Sequence, residues 1–276
     1  MQKGDYYNYK IKNDVAISEI LIAFLNEMSF DAFEELEDGI DAFIPATFDT
    51  EATNTALTNL QKTFDFQWTR EFVKHQNWNE LWESNFEPVV VEGFCAIRAD
   101  FHKPFDNVEY EIVINPKMAF GTGHHETTYM MMSTMKDIDF KDKKVFDYGC
   151  GTGILSVLAV MLGANDVEAI DIEEESYLNT LENAQRNGTP SIKTFQGTLP
   201  DVQSSGFDII LANINRNVIL ESLPTLYDKL RTGGFLMVSG FLQQDESLLI
   251  EHTKNAGFEL VKSKNRGKWI CQLLTK

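Results

Sequence analysis

The segment that most constrains the fold is a short apolar run followed by a glycine-rich turn, residues 144–155 (KVFDYGCGTGIL). The apolar run ends at Asp147, and glycines follow at alternate positions, Gly149, Gly151 and Gly153, before an apolar helical segment. A strand, a tight glycine turn and a helix N-terminus allow backbone N–H groups to approach a nucleotide-like ligand. The sequence therefore predicts a ligand-binding turn after the first strand of a parallel sheet.

The spacing of these glycines distinguishes two classes of cofactor. The dinucleotide fingerprint requires Gly-x-Gly-x-x-Gly, but here the third glycine comes one residue early and Ile154 occupies its place. Gly-x-Gly-x-Gly with an acid two residues upstream is instead typical of enzymes that use S-adenosylmethionine. That ligand has no pyrophosphate, and the upstream acid, Asp147, suits its cationic amino group. A plain tight connection without a ligand is the simpler alternative.

A second acid supports the binding of an adenosine. Residues 166–171 alternate between polar and apolar side chains and end in Asp171, 18 residues after Gly153. A carboxylate at the tip of the second strand accepts hydrogen bonds from the ribose hydroxyls. The alternative is that Asp171 caps the helix that follows. Because dinucleotide and methyl-donor enzymes both place an acid here, Asp171 does not select between them.

Composition bounds the class of protein. A chain of 276 residues allows one large domain or two. Its longest apolar runs are too short to cross a bilayer, and its first residues lack a signal-peptide pattern. The three cysteines are far apart without any Cys-x-x-Cys, which is typical of reduced thiols. We expect a cytoplasmic protein, a monomer, without a membrane partner.

Acidic residues are concentrated near the N-terminus. The net charge is −18, and residues 14–54 contain eleven Asp and Glu residues and no Lys or Arg. Such a surface repels a phosphate backbone, so we expect no direct binding of nucleic acid. It would attract a basic protein instead. The alternative is a solvated surface that only keeps the protein soluble.

The periodicity of the apolar residues predicts two domains. Residues 1–73 alternate strands and helices in the order β-α-β-β-α-β, which is the ferredoxin-like arrangement. Residues 74–88 have helical spacing of Trp78 and Trp82 and are expected to form a linker helix. In residues 89–276 strands alternate with helices and a hairpin closes the chain, which predicts a parallel sheet with helices on both faces.

Two further motifs point to a family. Residues 120–128 read FGTGHHETT and lead into a Met-rich helix, and Asn213, followed by Ile214, ends the fourth strand of the second domain. With the glycine turn, they closely resemble bacterial methyltransferases of the PrmA type, which modify ribosomal large-subunit protein eleven. The resemblance covers nearly the whole chain. It implies an α/β fold of class I methyltransferases, Rossmann-like with a seven-stranded mixed sheet, preceded by a small ferredoxin-like α+β domain.

The resemblance also implies a cofactor, a substrate and site residues. The cofactor is S-adenosylmethionine, and no metal is expected. The implied donor-binding residues are Phe120, Thr128, Gly149, Gly151, Asp171 and Asn213. Asn213 lies at the methyl-transfer end and is the candidate catalytic residue. The implied products are trimethylated lysine ε-amines and a trimethylated N-terminal α-amine on a basic ribosomal protein, free or on the ribosome, which the N-terminal domain would bind.

Other roles for Asn213 and other substrates are compatible with the same residues. Asn213 could be a turn residue at a strand end. It departs from the Asn-Pro-Pro-Tyr of base and glutamine methyltransferases, because Ile214 and Asn215 follow it, and this argues against flipped bases as substrate. The chain could instead methylate another protein or a small amine, or it could bind the donor without turnover. The adjacent His124 and His125 fit a loop that closes over the donor better than they fit a metal site.

Overall fold

The computed structural model describes residues 5–74, 86–115 and 121–276. The chain divides into two compact units, Met1–Leu81 and Trp82–Lys276. The linker helix predicted over residues 74–88 falls mainly on residues 75–85, which lie outside the described residues. The predicted domain bounds, 1–73 and 89–276, therefore stay a prediction.

Among its described residues, the first unit has the predicted order β-α-β-β-α-β. Its elements are β1 (Tyr6–Asn13), α1 (Ser18–Glu27), β2 (Ala32–Leu36), β3 (Gly39–Pro45), α2 (Glu51–Leu60) and β4 (Phe66–Val73). All pairs of neighbouring strands are antiparallel, and the strands lie in the order β2-β3-β1-β4. This confirms the ferredoxin-like fold expected from the sequence.

The core of the first unit lies on one face of this sheet. Along β1, Tyr9 and Ile11 are buried whereas Lys10 is exposed, because successive side chains of a strand point to opposite faces. Leu21 and Leu25, four residues apart on α1, are buried in the same hydrophobic cluster. Burial of one face fixes the register of the strands, because a shift by one residue would expose the apolar set.

The first described strands of the second unit form a small sheet. Its strands are β5 (Val89–Val91), β6 (Cys95–Ala99) and β7 (Tyr110–Ile114). β5 pairs antiparallel with β6, and β6 pairs parallel with β7. The sequence predicts β6 and β7 but not β5, since a run of three valines between a proline and a Glu-Gly turn is too short to show a period.

The larger sheet of the second unit has seven strands. They are β8 (Lys144–Tyr148), β9 (Asp166–Asp171), β10 (Lys193–Gln196), β11 (Phe207–Asn213), β12 (Leu230–Leu242), β13 (Glu259–Arg266) and β14 (Trp269–Thr275). The α-helices that the structure describes in this unit are α3 (Glu126–Met135), α4 (Ile154–Met161), α5 (Glu174–Arg186), α6 (Arg216–Lys229) and α7 (Glu246–Asn255). The sheet order is β10-β9-β8-β11-β12-β14-β13.

This sheet is mixed, as predicted. Strands β8 to β12 are parallel, whereas β14 is antiparallel to both of its neighbours. The arrangement confirms the class I methyltransferase fold. Among the helices that the structure describes, none combines the length and the apolar character that crossing a membrane requires.

The order of the strands creates a crevice at one edge. β8 lies between β9 and β11. The strands that come next in the chain, β9 and β10, lie on one side of β8, and the later strands lie on the other side. Ligands of such sheets bind outside the carboxyl ends of the strands, at the point where the strand order reverses. The register sets Tyr148 opposite Ile170 on one side and opposite Ala212 on the other. The residues that follow these three, among them Asp171 and Asn213, therefore lie at the same level.

Candidate active site

A cavity of about 670 Å³ opens at the carboxyl ends of β8, β9 and β11. Its volume falls within the range of about 300–1,000 Å³ that is typical of small-molecule and cofactor sites. Among the predicted site residues, those that line it are Gly149, Gly151, Asp171 and Asn213. Thr128 lies behind Asn213, and Phe120 lies outside the described residues. The structure thus brings together four of the six residues predicted to bind the donor.

The glycine turn needs its glycines for two reasons. Gly149, Gly151 and Gly153 have φ angles of 76°, 56° and 76°, in the left-handed region that residues with a Cβ rarely adopt. A Cβ at Gly149 would also overlap with the Cγ2 atom of Ile214. The turn therefore packs tightly on the end of β11, and this close approach shapes the floor of the cavity.

Asp171 holds the glycine turn in place. Its Oδ2 accepts a hydrogen bond from the Gly151 N–H at 2.9 Å, and its Oδ1 accepts one from the Glu173 N–H at 3.0 Å. A carboxylate oxygen can accept two hydrogen bonds. Asp171 can therefore support the backbone at both sides and still accept hydrogen bonds from ribose hydroxyls in the cavity.

Asp147, the acid two residues before the first glycine of the turn, is buried. It is 1% exposed, and it does not line the cavity. Its Oδ2 accepts a hydrogen bond from the Ser156 hydroxyl at 2.6 Å. Burial raises the pKa of Asp147 to about 7, although the Ser156 hydroxyl lowers it in part. Its Oδ1 is buried and has no hydrogen-bond partner among the described residues. The pairing of Asp147 with the cationic amino group of the donor therefore stays a prediction.

Asn213, the last residue of β11, lines the cavity with a polar side chain. It is 7% exposed, and its Nδ2 donates a hydrogen bond to the Thr128 Oγ1 at 3.1 Å. Its Oδ1 is buried and has no hydrogen-bond partner among the described residues. Buried polar atoms are nearly always paired. The Oδ1 atom therefore keeps its capacity to accept a hydrogen bond.

Three further residues line the cavity near Asn213. Trp269, the first residue of β14, packs edge-to-face on His125 with ring centroids 4.6 Å apart. Gly240 has a φ of 102°, and a Cβ there would overlap with the carbonyl of Ile214. Sequence reasoning does not single out Trp269 or Gly240. The signal for Gly240 is an isolated glycine inside an apolar strand pattern, which indicates a close approach of backbone.

The charge of the cavity suits a cation. Among the lining residues that the structure describes, Asp171 and Glu173 are carboxylates, and there is no Lys or Arg. His124 and His125 face different neighbours, Phe86 and Trp269. Within the described ranges, no three His, Cys, Asp or Glu side chains are grouped so that they could hold a metal ion.

A family model and individual relatives with the same description match this chain. The family described as ribosomal protein L11 methyltransferase (PrmA) matches residues 13–276. A ribosomal protein L11 methyltransferase from Phocaeicola vulgatus is 39% identical over 92% of each chain. One from Porphyromonas gingivalis is 40% identical, over 93% of this chain and 90% of the relative.

A solved structure is also similar. The crystal structure of ribosomal protein L11 methylase from Lactobacillus delbrueckii subsp. bulgaricus is 29% identical in sequence, with a TM-score of 0.64. The match covers 69% of this chain and 99% of that chain.

Proposed function

The chain belongs to the ribosomal protein L11 methyltransferase (PrmA) family, and we propose that it transfers methyl groups from S-adenosylmethionine to amines of ribosomal protein L11. The target amines are lysine ε-amines and the N-terminal α-amine, and each is trimethylated. The enzyme acts as a monomer in the cytoplasm, and it takes its basic substrate free or on the ribosome. The unpaired, buried Oδ1 of Asn213 at the cavity wall is the observation that carries the proposal.

The cavity fits the methyl donor. S-Adenosylmethionine, when bound, supplies an electrophilic methyl group on a sulfonium. Asp171 is placed to hold the ribose, and the glycine turn lets the backbone come close to the ligand. The two carboxylates of the lining favour the positive charge of the donor.

The acceptor amine must be neutral to react. A free lysine has a pKa near 10.4, so about one part in a thousand is neutral at pH 7.4, a cost of about 4 kcal/mol. The side chains of Ile214 and Trp269 give the wall near Asn213 an apolar character. An apolar wall and a nearby positive charge both lower the pKa of an amine. No dedicated general base is then required.

Asn213 orients that amine. Its Oδ1 is fixed because the Nδ2 of the same amide donates to Thr128. An amine hydrogen that bonds to Oδ1 directs the nitrogen lone pair, and correct orientation supplies much of the rate of an in-line displacement. A neutral acceptor also tolerates the monomethylated amine, which keeps one hydrogen to donate, and the neutral dimethylated amine, which keeps none and makes no such bond.

Blocking the amines tests the proposed reaction. We expect methyl label from S-adenosylmethionine to pass to purified, unmethylated L11, and not to L11 whose lysines and α-amine are acetylated. Acetylation removes the nucleophilic lone pair while the rest of the protein is kept. Label on the acetylated protein would contradict amine methylation.

The acidic residues of the first unit are proposed to attract the basic substrate. Glu34, Glu35 and Glu37 lie in β2 and the turn after it, and all three are exposed. We expect their replacement by glutamine to raise the KM for L11 about fivefold, because charge steers association. The KM of the unaltered enzyme should rise with salt for the same reason.

A matched variant controls for net charge. The same change is made at three exposed glutamates of the second unit, Glu221, Glu251 and Glu259. This variant should keep the KM for L11, and both variants should keep the affinity for the donor. An equal rise of the KM for L11 in the two variants would contradict a specific role for Glu34, Glu35 and Glu37.

A further inference from the structure

The loop of residues 121–125 is fastened to the glycine turn through one hydroxyl. Thr152 lies in the turn and is fully buried, and its Oγ1 donates a hydrogen bond to the Gly121 carbonyl at 2.7 Å. Gly121 has a φ of 103°, and a Cβ there would lie 2.9 Å from the same Oγ1. A glycine at position 121 is thus required both by its backbone conformation and by the approach of Thr152.

The glycine turn itself is held independently of this hydroxyl. Asn183 of α5 donates its Nδ2 to the Thr152 carbonyl at 2.8 Å, and Thr180 of α5 donates its hydroxyl to the Gly151 carbonyl at 2.9 Å. The Gly151 N–H is bonded to Asp171. Loss of the Thr152 hydroxyl would therefore detach the loop from the turn at Gly121 and leave the turn in place.

The loop has further contacts on its other side. A Cβ at Gly123 would overlap with the Cδ1 of Ile97 in β6, so the loop is pressed onto the small sheet. His124 packs edge-to-face on Phe86, with ring centroids 4.8 Å apart. These contacts are apolar or aromatic. Among the described residues, the bond to Thr152 ties the loop directly to the donor-binding turn.

The end of the loop reaches the reacting groups. His125 lines the cavity and caps α3, and Thr128 in the first turn of α3 accepts the hydrogen bond from Asn213. We propose that Thr152 is a positioning residue for the methyl donor: its hydroxyl fixes the loop of residues 121–125 and so holds His125 and Thr128 in the geometry that binds the donor. This rests on the proposed function only in that the cavity holds S-adenosylmethionine.

The test is Thr152→Val, which keeps the shape of the side chain and removes the hydroxyl. When only a fraction of the protein has the loop in place, the apparent Kd rises by the inverse of that fraction. Loss of a hydrogen bond that leaves a carbonyl unpaired should lower the fraction of protein with the loop in place about tenfold. We expect the Kd for S-adenosylmethionine, measured by calorimetry without any protein substrate, to rise about tenfold.

Two variants separate positioning from a general loss of stability. Thr152→Ser restores the hydroxyl and should restore the Kd. Thr253 is also buried, and its hydroxyl bonds to the Ile250 carbonyl of its own helix, away from the cavity. Thr253→Val should lower the melting temperature as much as Thr152→Val does and leave the Kd unchanged.

An unchanged Kd in Thr152→Val, or a rise that Thr152→Ser does not reverse, overturns the inference. If Thr152→Val does not fold, Gly121→Ala provides the second test, because its Cβ displaces the loop from the other side; an unchanged Kd there overturns the inference as well. The readout needs only the donor. A tenfold rise in Kd together with no methylation of L11 would leave the role of Thr152 standing and reject the proposed substrate.

Discussion

Asn213→Ala should lower kcat about 100-fold and change the Kd for S-adenosylmethionine much less. The variant removes the Oδ1 that orients the amine, and a small misplacement of a reacting group can cost about 100-fold in rate. The donor keeps the glycine turn and Asp171, so its affinity is largely retained. Single-turnover rates with L11 and calorimetry with the donor measure the two effects separately.

A second buried asparagine serves as the control. Asn13 of the first unit is 9% exposed, and its Nδ2 donates to the Asp14 carbonyl and to the Ser18 hydroxyl. Asn13→Ala removes a side chain of the same size and similar burial outside the cavity. It should leave kcat unchanged. A kcat in Asn213→Ala that equals that of the unaltered enzyme would reject the orienting role of Asn213.

Asp171→Ala should raise the Kd for S-adenosylmethionine at least about 100-fold. A hydrogen bond to a charged group is worth about 1.5–3 kcal/mol, and two such bonds to the ribose hydroxyls are lost. Each 1.4 kcal/mol is about tenfold in affinity. The variant also leaves the Gly151 N–H without its acceptor, which loosens the turn. Calorimetric titration with the donor measures the change.

Glu173 is the matched control for Asp171. It is the other carboxylate among the described lining residues, two positions further along the chain. Because no described residue of the glycine turn donates a hydrogen bond to the Glu173 side chain, Glu173→Gln should weaken donor binding only slightly. Equal losses in the two variants would mean that the charge of the cavity, and not a specific bond from Asp171, determines affinity.

Much of the fold follows from local patterns. The alternation of β1, the helical spacing of α1 and the glycine turn after β8 each predict the observed element. β5 could not be predicted, because three valines carry no period. The separation of β5, β6 and β7 into their own sheet depends on pairing between distant residues, and the sequence contains no local signal for such pairing.

The residues of the site likewise divide into those that a motif identifies and those that the fold brings to the cavity. Gly149, Gly151, Asp171 and Asn213 could be named because each lies within a motif or at a strand end. The burial of Asp147 could not, since the motif gives its position but not the direction of its side chain. Trp269 lies 116 residues after Gly153, the last glycine of the turn, and the pairing of β14 with β12 brings it to the cavity. The bond between Thr152 and Gly121 likewise joins two motifs that the sequence presents separately.

The most direct test of the proposed function is the intact mass of purified, unmethylated L11 after incubation with this enzyme and S-adenosylmethionine. The proposal predicts that the mass increases in steps of one methylene and that the end point is a multiple of three methyl groups. The Asn213→Ala enzyme, under the same conditions, should give almost no increase. An unchanged mass of L11, with binding of the donor demonstrated in the same preparation, would contradict the assignment of L11 as the substrate.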